Sequence, residues 1–173
     1  MKTGLGARLA LVTGALLVGL LIAEGGVRLF DRYACLLGFS GSFWEPNVYY
    51  GWGHTPGAFG WAKRCFGTRV EWETFSRINS HGLHDREIPY ERTDAFRILV
   101  LGDSYTEALQ VPLEATFAKR LERRLTDDAR GRPVEVVNTG CSGYGTDNAL
   151  LFYRTEGRRY SSALSVQIGR AHV

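Results

Sequence analysis

The chain has little of several things that organise other protein classes. Three cysteines in 173 residues, Cys35, Cys65 and Cys141, are too few and too dispersed for a disulfide scaffold, and none has the close spacing of a zinc ribbon. Outside the cytosol Cys35 and Cys65 can pair. A charge excess is also lacking. Lys+Arg number 21 against 18 Asp+Glu, and a net charge of +3 is too mild to imply a nucleic-acid partner. Internal repeats and low-complexity tracts are absent, which excludes solenoids and arrays. With 45% hydrophobic and 23% charged residues, a mainly disordered or collagen-like chain is excluded as well. The length suits one domain of ordinary size with a real core.

The N-terminus carries the longest apolar run. Leu9 to Ala23 is uncharged, preceded by Lys2 and Arg8 and closed by Glu24. As a helix that run covers about 22 Å, short of a hydrocarbon core of roughly 30 Å. Counting from Leu5, with Arg8 snorkelling to the interface, makes residues 1–30 a membrane anchor. A cleaved signal peptide has the same basic start and short apolar stretch, with small residues at Ala23 and Gly25. Arg28 and Arg32 balance Lys2 and Arg8, so orientation stays open. Both readings export the rest of the chain, to the periplasmic side in a two-membrane bacterium.

Residues 31–93 form a Gly- and aromatic-rich lead-in with a hairpin or two. Alternation over Thr68–Phe75 predicts a strand with Val70, Trp72 and Thr74 on one side. At Phe96 the pattern changes. Phe96–Leu101 is a nearly continuous apolar run ending at Gly102, the profile of a strand buried on both faces of a parallel sheet. A helix comes next, with Pro112 in its first turn, Leu113, Phe117, Leu121 and Leu125 on one stripe, and Lys119, Arg120, Glu122, Arg123 and Arg124 as a solvated face. Val134–Val137 reads as a second strand running into Asn138, and Thr146 or Asp147 caps a helix that Gly157 ends. Strand, helix, strand, helix over residues 94–166 predicts an α/β layer sandwich with a right-handed crossover.

In such folds ligands collect at the carboxyl ends of the strands. Two loops leave strands there, Gly102-Asp103-Ser104-Tyr105-Thr106 and Asn138-Thr139-Gly140-Cys141-Ser142-Gly143-Tyr144-Gly145-Thr146. A serine after a glycine that permits a tight turn can project its hydroxyl while nearby backbone N–H groups face a developing oxyanion, as acyl transfer requires. Gly143 can bring such an N–H close because no side chain blocks the approach.

At these loops the chain resembles the SGNH (GDSL) hydrolase family. The strand with Gly102-Asp103-Ser104 is similar to the family's first block and Asn138-Thr139-Gly140-Cys141-Ser142-Gly143 to its second. Asn79-Ser80-His81-Gly82 is similar to a segment ahead of the first block in membrane-anchored relatives. The resemblance implies a three-layer, flavodoxin-like parallel sheet and an exported serine esterase. Ser104 would be the nucleophile, its N–H and that of Gly143 would form part of the oxyanion hole, and Asp103 would support the turn. Tyr105 and Tyr144 are expected to line a pocket for an ester-bearing small molecule or glycan, with no cofactor and no metal. Within the same fold a polysaccharide O-acetyltransferase is the alternative. A non-catalytic envelope module, whose aromatic lead-in binds glycans or a partner, is another.

The family's later blocks, a Gly-x-Asn and an Asp/His pair, do not occur after Gly157. The domain is therefore expected to be truncated after the second strand–helix unit and inactive or nearly so. Ile168 to Val173 is the in-frame translation of ATC GGA AGA GCA CAC GTC, a common sequencing-adapter stretch, and Gln167 fits the bases before it. On that reading residues 167–173 are expected to lie outside the natural protein, and His172 is not taken as a catalytic base. His81 and His84, with Asp85 adjacent and His54 upstream, read as a polar loop around Gly82 rather than a zinc site. Cys141 reads as a packing residue.

Overall fold

The computed structural model describes residues 4–34, 39–40, 43–66, 69–129 and 132–169. The chain divides into two compact units, Met1–Gly38 with Arg64–Trp72 and Phe39–Lys63 with Glu73–Val173.

The first unit contains helix α1 (Leu5–Ala34). The helix outruns the uncharged stretch, and Glu24 and Arg28, four residues apart, pair on it at 2.7 Å. Its apolar part, Leu5–Phe30, has a mean hydropathy of 2.1 and no part buried within the protein. At 1.5 Å per residue its 26 residues reach about 39 Å, enough to cross a hydrocarbon core. Length and composition alone fit an anchor and a signal sequence equally. Cys65 is disulfide-bonded, while Cys35, its expected partner, lies outside the described residues.

The second unit is built on the parallel sheet. Strand β6 (Phe96–Gly102) runs between β7 (Val134–Asn138) and β8 (Leu164–Ile168), parallel to both. Successive side chains of a strand face opposite ways. Accordingly Ile98 and Val100 join Val134, Val136 and Ala118 in one core, while Leu99 and Leu101 join Val137, Ala149, Phe152 and Tyr160 in the other. Helix α3 (Phe117–Asp128) covers the first face and α4 (Thr146–Thr155) the second. The sheet thus has helices on both sides. The third strand corrects the expectation of a sheet ending after two strands. Every residue of β8 is exposed, and Gln167 and Ile168, which the adapter reading sets outside the natural protein, make up its last two positions.

The helix after β6 also differs from its expected form. A short α2 (Ser104–Glu107) comes first, then a 3-10 turn at Leu113–Ala115 with Pro112 at its cap, then α3. Ala118, Leu121 and Leu125 form the packed stripe, whereas Phe117 is exposed. Lys119 is buried instead of solvated. Its ammonium lies 2.7 Å from the equally buried Asp85 and donates to the Val136 carbonyl at 2.8 Å. Glu122 accepts from the Val136 N–H at 2.7 Å and from Arg86 at 2.6 Å. Two members of the supposed solvated run therefore fix α3 to β7 and to the lead-in. Arg97, inside the apolar run of β6, is buried likewise and reaches Glu135 at 2.8 Å.

The lead-in is ordered by strands. β2 (Trp44–Asn47) and β3 (Gly51–His54) form an antiparallel hairpin, and β4 (Phe59–Phe66) lies between β1 (Phe39–Ser40) and β5 (Arg69–Arg77) in a second sheet. On β5 Thr74 and Ser76 are buried while Val70 is exposed, so the expected inward set holds only toward its C-terminal end. Asp85 accepts from the Asn138 N–H at 2.9 Å, which docks the lead-in onto the end of β7.

Removing one partner of a buried ion pair leaves a charge without compensation. Lys119→Met is expected to destabilise the protein by about 3–5 kcal/mol in urea unfolding. Arg120→Met, on the exposed face, should stay within about 0.5 kcal/mol.

Candidate active site

Strand β6 is central, and its two neighbours lie on opposite sides, so the strand order switches at its carboxyl end, where open α/β sheets bind ligands. Ser104 begins α2 directly after that end. The turn is held by Asp103, whose carboxylate accepts from the Tyr105 N–H at 3.0 Å and whose carbonyl accepts from the N–H groups of Thr106 and Glu107. Ser104 itself is half-buried, and its hydroxyl has no hydrogen-bond partner among the described residues.

The ladder between β6 and β7 continues past both strands. Thr139 N–H donates to the Val100 carbonyl at 2.9 Å and Cys141 N–H to the Gly102 carbonyl at 3.1 Å. In this register the second loop runs alongside the first. Their backbones nearly touch, because a Cβ added at Gly140 would lie 2.6 Å from the Thr106 carbonyl carbon. Gly143, one residue beyond Ser142, has φ +82, a conformation that glycine adopts at little cost. Among the described residues neither its N–H nor that of Ser104 has a protein acceptor.

Beneath the loops lies a buried carboxylate. Glu107 Oε1 is 2.5 Å from His54 Nε2 and accepts from Trp44 Nε1 at 3.0 Å, while its other oxygen accepts from the Ser142 hydroxyl. His54 Nδ1 faces the Gly82 carbonyl at 3.1 Å, which can only accept, so Nδ1 carries hydrogen. His84 Nδ1 donates to the Glu107 carbonyl at 2.7 Å, and burial pushes the His84 pKa below its ordinary value.

The histidines considered together in the sequence thus go to separate partners. His81 stacks on Tyr90 with centroids 4.1 Å apart, and Asp85 serves Lys119. His54, Glu107 and Cys141 do bring donor atoms within 4.8 Å of one another. Glu107 is already satisfied by three protein donors, however, and burial pushes the Cys141 thiol pKa up, so the set is complete without an ion.

Compared with known families the chain matches no family model, and no curated protein is detectably similar to it.

Of the two tyrosines, Tyr105 is exposed next to Ser104, whereas Tyr144 is buried and donates its hydroxyl to the Trp52 carbonyl at 2.6 Å. Tyr144 lines a cavity of about 260 Å³ with Tyr50, His81, Tyr90, Cys141 and Glu156. Ser104 and Gly143 do not line it. Sequence reasoning missed Glu107 and Trp52. The signal for Glu107 was an acidic residue immediately before the apolar Ala108-Leu109, but its side-chain partners Trp44, His54 and Ser142 lie 35 to 63 residues away.

The depressed His84 pKa sets a sign. Below about pH 6.5 the unfolded chain takes up a proton that the folded chain resists, so stability falls as pH drops and is fully present above that value. His84→Asn, which keeps a donor near the Glu107 carbonyl, should flatten this part of the urea-midpoint profile between about pH 5 and 7.

Proposed function

We propose that the protein is an exported serine hydrolase of ester bonds, of SGNH/GDSL type, in which Ser104 attacks the acyl carbon and the N–H groups of Ser104 and Gly143 receive the oxyanion. The observation that carries this reading is the parallel register that lays the second loop, from Gly140 to Ser142, along the helix that Ser104 begins, with the Ser104 and Gly143 amide hydrogens both free of protein acceptors among the described residues. The strand order β7-β6-β8 supports it, since a flavodoxin-like sheet begins in the same order. The apolar helix α1 would hold the hydrolase unit at a membrane surface, with the substrate an ester-bearing small molecule or glycan.

No histidine hydrogen-bonds the Ser104 hydroxyl among the described residues, and those in the site face Glu107. A serine without a base is a weak nucleophile.

A second reading, a non-catalytic binding module, draws on the exposed aromatic cluster of Phe59, Trp61 and Phe75 on β4 and β5. Treatment of the full chain with a fluorophosphonate probe separates the two. Slow labelling at Ser104, abolished in Ser104→Ala, is the expected result. Labelling that persists in Ser104→Ala counts against the hydrolase.

A further inference from the structure

The hairpin β2–β3 reaches across to the second loop through one residue. Trp52 Nε1–H donates to the Ser142 carbonyl at 2.8 Å. No peptide bond among the described residues is cis, and in a trans peptide the C=O and the following N–H point in opposite directions. Fixing the Ser142 carbonyl on the indole therefore fixes the Gly143 N–H facing away from it. That N–H is one of the two without a protein acceptor among the described residues.

Two further contacts make the hold rigid. The Ser142 hydroxyl is anchored on Glu107, so the residue is held by side chain and by backbone. Trp52 is gripped in turn, since the Tyr144 hydroxyl donates to its carbonyl at 2.6 Å and the two rings meet edge to face at 5.7 Å. The indole also lies against Gly143, where an added Cβ would come within 3.1 Å of its Cζ2. A donor aimed before the reaction avoids reorganisation when charge develops on the oxygen.

We propose that Trp52 is a positioning residue that aims the Gly143 amide, with Glu107 as the second hold on the same peptide. Its service to acyl chemistry rests on the reading of Ser104 as nucleophile, while the hold on the amide does not.

The test uses the full chain in detergent micelles and two variants. Trp52→Phe removes the N–H and keeps an aromatic ring. Site-specific replacement of Trp52 by its benzothiophene analogue removes the N–H and keeps the shape, which guards against a folding defect. Backbone ¹⁵N relaxation at Gly143 is expected to fall from a rigid order parameter of about 0.85 to below about 0.6 in both. Fluorophosphonate labelling of Ser104 should slow by roughly 10- to 100-fold, below the full loss of an oxyanion donor. A merely structural tryptophan would change the melting temperature and leave Gly143 as ordered as before, and that result overturns the proposal. An unchanged labelling rate with a mobile Gly143 overturns it too. If wild-type Ser104 is not labelled while Gly143 becomes mobile in both variants, the hold on the amide stands and the nucleophile reading falls.

Discussion

The buried carboxylate of Glu107 is the constraint on which the arrangement of the site depends. A charge or acid in that position tolerates burial only if every lone pair finds a donor. Trp44 and His54 of the hairpin and Ser142 of the second loop supply them, and the Glu107 carbonyl takes His84 as well. One residue of a four-residue helix thereby binds three separate stretches of chain. Because this helix starts at Ser104, whatever fixes Glu107 also fixes the turn that carries the serine.

Parts of this fold were legible where the determining forces are local. The run Phe96–Gly102 announced β6 because it is apolar on both faces, and Val134–Asn138 and the helix from Thr146 were readable on similar grounds. The face of α3 was misjudged because Lys119 is made tolerable by Asp85, thirty-odd residues earlier, and no periodicity reports such a partner. In β8 Leu164, Val166 and Ile168 alternate with Ser165 and Gln167, but reading residues 167–173 as adapter leaves only three residues of that pattern, too few to mark a strand without its parallel pairing to β6.

The candidate site divides in the same manner. The Gly-Asp-Ser turn and the glycine loop are short contiguous patterns whose backbone demands can be seen in the letters themselves. Asp103 at the cap and positive φ at Gly143 are local facts of that kind. The supports behind the loops are not. Trp52 and Ser142 are 90 positions apart, and an aromatic-rich stretch gives no hint of which ring will reach which carbonyl.

These separations bear on how the molecule acquires its structure. The hairpin is made before the parallel sheet and its loops, yet two isolated strands are marginally stable in water. Its tryptophans and His54 find their acceptors only after the chain has advanced 53 to 90 residues. Contacts so distant along the chain make for slow folding. Until Glu107 and the loop bearing Ser142 emerge, Trp44 and Trp52 lack the acceptors that hold them, and this early segment is the part most in need of protection from aggregation.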